Sequence, residues 1–138
     1  MTAAPHIVLV HGLTRSKYDM FLLAPRLRKR LPESHIHVFD YPSRRLTLTE
    51  ATENLREFVN GITTGSPVSF VGHSLGGVLV RSLDALGGCN GPLHRLVTLG
   101  SPHCGAVIAK TLSAYSIPRA LFGPVLSELG SLNLVEQS

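Results

Sequence analysis

Two glycines bracket a serine in Gly72-His73-Ser74-Leu75-Gly76, which follows the apolar run Val68-Ser69-Phe70-Val71 and opens a stretch of helical spacing. A chain that passes from strand to helix over so few residues must turn sharply, and a serine at the apex has its hydroxyl lifted clear of the sheet. Small residues are needed on either side because a Cβ there would collide with the neighbouring strand or helix. The chemistry such a hydroxyl offers is nucleophilic attack on an acyl carbon. It requires a base to take the proton and a third group to hold that base.

Downstream of Ser74 the groups that could serve as those two partners are few. After Ser74 the acids are Asp84, Glu128 and Glu136, and the histidines are His94 and His103. Asp84 falls ten residues into the helix behind the turn and so points away from the serine. His94 sits at the start of its own apolar run, the wrong end. His103 lies just past the end of that run; a loop histidine bonded to backbone is the favoured reading, and the base of the serine is the alternative. His11 and His73 flank the serine and are expected to orient or pack rather than to move protons. Tyr41 and Ser43 either line the pocket or serve as plain turn residues.

The elements that must position these residues are legible as an alternation. Ile7-Val8-Leu9-Val10 is a continuous β-branched run of the kind found in strands buried on both faces of a parallel sheet. A helix is expected from Asp19 to Leu31 on the spacing of Leu22, Leu23, Leu27 and Leu31, with Pro25 discordant unless it falls in the first turn or marks a kink. Ile36-His37-Val38-Phe39 forms the next strand, ended by Asp40-Tyr41-Pro42-Ser43. Thr47-Leu48-Thr49-Glu50 has the form of a capping box, and Leu48, Ala51, Leu55, Phe58, Val59 and Ile62 then share one helix face that Gly61 and Gly65 help to end. Behind Ser74 a helix runs from Leu75 to Leu86 with Val78, Leu79, Leu83 and Leu86 inward, stopped by Gly87-Gly88. Leu93 to Leu99 is the fourth strand.

Strands alternating with helices at this spacing imply right-handed crossovers and a three-layer α/β/α fold around a mostly parallel sheet. Ligands in such sheets bind outside the carboxyl ends of the strands. Those four exits carry His11-Gly12-Leu13, Asp40-Tyr41, Ser74 and Ser101-Pro102-His103-Cys104. A single domain is expected over residues 1–138, with 106–138 an apolar tail that acts as a lid or an edge cover.

Composition narrows the partners. The 138 residues are 43% hydrophobic with a net charge of +4, which excludes disorder. Much of the positive excess lies in Arg26, Arg28, Lys29 and Arg30, with Arg44 and Arg45 nearby. Without a recognition motif or aromatic interleaving in the sequence, this reads as a solvated helix face, so no nucleic-acid partner is expected. Cys89 and Cys104 lack metal-type spacing and are expected to be free thiols, with no metal site and no organic cofactor. The amino terminus has neither a basic n-region nor a long apolar run, so the expectation is a cytoplasmic protein without stable membrane insertion.

Taken together, Ile7-Val8-Leu9-Val10-His11-Gly12-Leu13, Gly72-His73-Ser74-Leu75-Gly76-Gly77 and Leu96-Val97-Thr98-Leu99-Gly100-Ser101-Pro102-His103 resemble the α/β-hydrolases of lipase and esterase type, over most of residues 6 to 105. The resemblance implies Ser74 as nucleophile and the backbone amides of Leu13 and Leu75 as oxyanion donors. It also implies an acid and a histidine on loops well beyond the nucleophile. The strands carrying them are expected to be absent, as in a hydrolase cut after its fourth recognisable strand, presenting an unpaired edge there that the tail covers or that pairs two copies in a homodimer. The expected function is a serine hydrolase acting on acyl or lipid esters, with a hydrophobic acyl group favoured. The alternatives are thioester hydrolysis or acyl transfer at the same serine, and a catalytically impaired module that binds acyl ligands or a protein.

Overall fold

In a computed structural model of the chain, which describes residues 4–12, 16–43 and 45–100, strands and helices alternate as β1 (His6–Val10), α1 (Ser16–Arg30), β2 (His35–Phe39), α2 (Leu48–Thr63), β3 (Val68–His73), α3 (Leu75–Ala85) and β4 (Leu93–Leu99). All pairings are parallel, in the order β2-β1-β3-β4. The expected α/β/α layering with a parallel sheet is therefore the observed one. From β1 the chain winds first to one side, to β2, and then to the other, to β3. The carboxyl ends of β1 and β3 thus lie side by side at the point where strand order reverses, the place where open α/β sheets bind ligands.

The continuous apolar run of β1 is explained by burial on both faces: Val8, Leu9 and Val10 have no exposed surface. Val8 and Val10 pack with Leu55 and Val59 of α2 and with Val78 and Leu79 of α3, whereas Leu9 packs with Met20 and Ala24 of α1. Each fully buried leucine or valine of this kind contributes roughly 1.5–3 kcal/mol of transfer free energy. The Thr47 capping box is present, its hydroxyl accepting from the Glu50 amide (3.1 Å) and the Glu50 carboxylate accepting from the Thr47 amide (3.0 Å). The helix runs past Gly61 and ends instead at Thr64, which takes a left-handed φ of 46°, followed by Gly65.

Three apolar assignments need correction. Leu22 and Leu31 face solvent, because the buried face of α1 is set by Met20 and Ala24 with Leu23 and Leu27 beside them. Leu86 is also exposed, since α3 stops at Ala85 and the chain has left the helix by then. Pro25 sits well inside α1, away from the first turn, on the exposed side where water reaches the carbonyl it leaves without a donor.

Arg56 joins α2 to the chain at the end of α3, donating to the Gly88 carbonyl and the Leu86 carbonyl, both at 2.8 Å. A cation on the terminal carbonyls of α3 both satisfies them and complements the helix dipole. Buried Thr52 on α2 donates to Leu48 O (2.7 Å) and lies 3.1 Å from the Ser82 hydroxyl of α3. On its other edge β4 has no strand partner among the described residues, and it exposes Leu93, Val97 and Leu99. The tail expected to cover it, 106–138, lies outside the described residues. Among the described residues no helix is long and apolar enough to cross a membrane.

Candidate active site

Ser74 stands alone between β3 and α3, with φ 53° and ψ −121°. A non-glycine residue in that region is strained by about 1–3 kcal/mol, a cost held in place by surrounding structure. Here the restraint is visible. The Ser74 amide donates to the Leu99 carbonyl of β4 (3.0 Å), and its own carbonyl accepts from Gly77 N–H (3.2 Å). Ser74 occupies the N-cap position of α3, yet its hydroxyl caps nothing there, although serine is a favoured capping residue. The hydroxyl is left for another use.

Close approach explains the surrounding glycines. A Cβ on Gly72 would stand 2.5 Å from the Gly77 Cα, and one on Gly76 would stand 2.0 Å from the Val10 carbonyl oxygen. The helix start is pressed against the exits of both inner strands. At Gly12 a Cβ would meet Ser74 Cβ at 2.9 Å and the Leu75 amide nitrogen at 3.0 Å, so the β1 exit passes directly over the serine and the first amide of α3. That amide belongs to the helical turn whose N–H groups have no intrahelical acceptor. Two expected members of the site, Leu13 and His103, lie outside the described residues.

The β1 and β2 exits are locked together beneath this corner. His11, buried, donates Nδ1–H to the Gly12 carbonyl (2.7 Å), while Nε2 lies 3.0 Å from Asp40 Oδ1 and 3.2 Å from the Tyr41 amide. With the proton only on Nδ1, Nε2 accepts from Tyr41; with both protonated, Nε2 donates to Asp40. In either state both ring nitrogens are engaged, which makes His11 an orienting residue. Tyr41 stacks on His11 at 4.4 Å between ring centroids and donates its hydroxyl to the His11 carbonyl (2.8 Å). Burial pushes the Tyr41 phenol well above its ordinary value, so it stays a neutral donor. Tyr41 and Ser43 are thus buried parts of the lock, the Ser43 amide donating to the Tyr41 carbonyl at 2.8 Å. Sequence reasoning did not join Asp40 to His11. The signal was register: Val10 pairs with Phe39, which sets the next residues of each strand side by side. His73 Nδ1 is buried with no hydrogen-bond partner among the described residues.

The serine turn, the strand order and the packed glycines all point one way, and the sequence agrees: residues 7–134 match the model of the alpha/beta hydrolase family. The chain belongs to the alpha/beta hydrolase family. No match was found among curated proteins. Among solved structures, this alpha/beta hydrolase is similar to phospholipase PlaB from Legionella pneumophila in complex with thio-NAD, with TM-score 0.63 and 21% identity over 91% of this chain and 31% of that one. It is similar to the mature lipase BlEst2 of Bacillus licheniformis, with TM-score 0.65 and 22% identity over 98% of this chain and 58% of that one. A third similar structure is the NocB thioesterase domain from the nocardicin cluster, with TM-score 0.56 and 23% identity over 96% and 64% of the two chains. The chain thus spans less than two thirds of each.

Two other features of the chain lie away from Ser74. A cavity of about 310 Å³ lined by Phe70, Leu83, Cys89 and Leu93 sits at the amino end of β4, the edge of the sheet opposite the strand exits where the chemistry belongs. Cys89 is a free thiol there, and Cys104 lies outside the described residues. Among the described residues no three His, Cys, Asp or Glu side chains are arranged to hold a metal ion.

Proposed function

We propose that this alpha/beta hydrolase cleaves carboxylic esters through an acyl-serine intermediate on Ser74. The observation that carries the reading is the strained backbone of Ser74, with its hydroxyl uncapped and its neighbour amide facing the β1 exit. Ser74 Oγ attacks the ester carbonyl carbon while its proton passes to the imidazole of His103, which returns that proton to the departing alkoxide. Water then attacks the acyl-serine carbonyl, its proton taking the same route in reverse sense to restore Ser74. The backbone amides of Leu75 and Leu13 hold the developing oxyanion, each worth about 3–4 kcal/mol in the transition state.

That a lipase, a phospholipase and a thioesterase domain share this fold supports acyl chemistry and a hydrophobic acyl group. The test is covalent labelling by a fluorophosphonate, with labelling and ester turnover both lost in Ser74→Ala; turnover that persists in that variant ends the proposal. In His103→Ala turnover falls by about a thousandfold or more if the imidazole is the base. Unchanged slow turnover there instead identifies an oxyanion pocket working without a base.

A further inference from the structure

The outer face of α1 has a composition that a solvated helix does not need. Tyr18, Phe21 and Leu22 expose 62%, 50% and 66% of their surface, while Met20 and Ala24, with Leu23 and Leu27 beside them, bury the opposite side. The remaining large exposed apolar residues among those described stand at element ends or along β4, so this cluster on two turns of one helix is the exception. At about 100° per residue, Tyr18, Leu22, Pro25 and Lys29 fall within roughly 60° of one line along the helix. Phe21 flanks that line on one side and Arg26 on the other, with Arg30 further round beyond Arg26. Toward its carboxyl end the same face thus becomes basic, and the side chains of Arg26, Lys29 and Arg30 border an open trough of about 470 Å³. None of these three is in a salt bridge among the described residues, whereas Arg28 is engaged by the Ile36 carbonyl at 3.2 Å. Asp19 is the one acidic residue of the helix.

We propose that α1 is a docking surface for an anionic phospholipid bilayer. Phe21 and Leu22 enter the headgroup–acyl boundary with the ring of Tyr18 at its level, and Arg26, Lys29 and Arg30 take the lipid phosphates. An aromatic and aliphatic patch continuous with a basic one is the composition of helices that lie in the plane of a membrane interface. The attraction is to negative lipid in particular, because a neutral surface leaves three uncompensated cations on the face. Nucleic acid offers phosphates, and bases for an aromatic ring, but no apolar phase for Leu22, and a second copy seated here offers only Asp19 of its α1 to meet the three cations. The apolar end of α1 follows the β1 exit and is therefore the end nearest Ser74, so docking brings the strand exits toward the lipid. This adds a site of action to the ester-hydrolase reading without depending on Ser74 chemistry.

The experiment is co-sedimentation of the 138-residue chain with phosphatidylcholine vesicles, with and without about 30% phosphatidylglycerol. Binding is expected to the anionic vesicles and to be largely lost near 1 M salt, where screening acts beyond about 3 Å. Removing the charges in R26Q/K29Q/R30Q should weaken partitioning about a hundredfold, near fivefold per residue. The variant F21S/L22S should weaken it at least about tenfold. Arg95→Gln, on exposed β4, and Ser74→Ala should bind as the parent does, the latter even where ester turnover is gone. The chain contains no tryptophan, so Leu22→Trp supplies a single reporter whose emission shifts to the blue on anionic vesicles without altering the basic face. Equal binding to neutral vesicles, an Arg95→Gln effect as large as that of the triple variant, or no shift at Leu22→Trp overturns the proposal. So does preferential binding of an RNA oligonucleotide in competition with the vesicles, or a dimer in dilute solution that F21S/L22S dissociates.

Discussion

Gly76→Ala is the substitution that most directly interrogates the corner holding Ser74. The added carbon would sit 2.0 Å from the Val10 carbonyl oxygen, 2.7 Å from the Val10 carbonyl carbon and 2.9 Å from the His11 oxygen. All three are backbone atoms, so no side chain can rotate away. Reaching the 3.4 Å of ordinary contact from 2.0 Å requires about 1.4 Å of movement between the start of α3 and the end of β1. Forcing one carbon into a packed site costs roughly 1–3 kcal/mol, and a backbone clash puts this one at about 3 kcal/mol. The companion substitution is Gly61→Ala, also a helical glycine but with nothing within 4 Å of the added carbon. There the helix gains up to about 1 kcal/mol. Because intrinsic propensity is common to both changes, it cancels, and the gap of about 3 kcal/mol between them isolates the contact. In urea denaturation that gap separates the midpoints by roughly 1.5–3 M for a slope of about 1–2 kcal/mol/M. Ester turnover, if Ser74 is the nucleophile, should also drop about a hundredfold in Gly76→Ala, since an ångström of displacement suffices for that. Two variants within about 1 kcal/mol of each other would show that α3 and β1 are not pressed together as described, and the reasoning about this corner would fail.

Ser74→Gly should raise stability by about 1–2 kcal/mol while abolishing fluorophosphonate labelling, because glycine accepts φ 53° and ψ −121° without the penalty serine bears. Ser74→Ala, which keeps the Cβ, should leave thermal stability close to that of the parent; equal gains in both variants would disprove stored strain. The amino end of the sheet should make the fold sensitive to acid. His6 Nδ1 and His37 Nε2 are 3.1 Å apart, a hydrogen bond that requires one of the two nitrogens to be unprotonated. Burial, followed by the charge of His35, holds His6 below its ordinary value of 6.5; burial, followed by His6, His35 and Arg28, does the same for His37. The unfolded chain therefore binds more protons just below pH 6.5, so this stability is complete above that value and is lost as the pH falls through the lowered folded values. Urea midpoints measured from about pH 8 to about pH 5 should decline, and the decline should shrink in His37→Gln; a flat profile in the parent would refute the assignment.

What the sequence made legible was local. The run of β1, the Thr47 box and the glycine-flanked serine each announce themselves within a handful of neighbouring residues, and parallel alternation follows from their order. Faces of helices were harder, because α1 carries apolar residues most of the way round. Leucine spacing selected Leu22 and Leu31, whereas the smaller Ala24 and the flexible Met20 define the side that meets β1 and β2. Contacts between distant residues were invisible in the same way. His11, Asp40 and Tyr41 meet only once β1 and β2 pair, and Arg56 finds the end of α3 only after both helices cover one face. In the candidate site the serine and its glycines could be read in advance. The conformation of Ser74 and its attachment to β4 required three-dimensional placement.

That attachment ties local order to the rim of the molecule. The amide of Ser74 is shielded from exchange with solvent only while the Leu99 carbonyl stays in place, and Leu99 is the last residue of the outermost described strand. Fraying at that border would release the main chain of Ser74 before the interior loosened. A strand added along the outer side of β4 would do the opposite, slowing deuterium uptake at Ser74 without touching it.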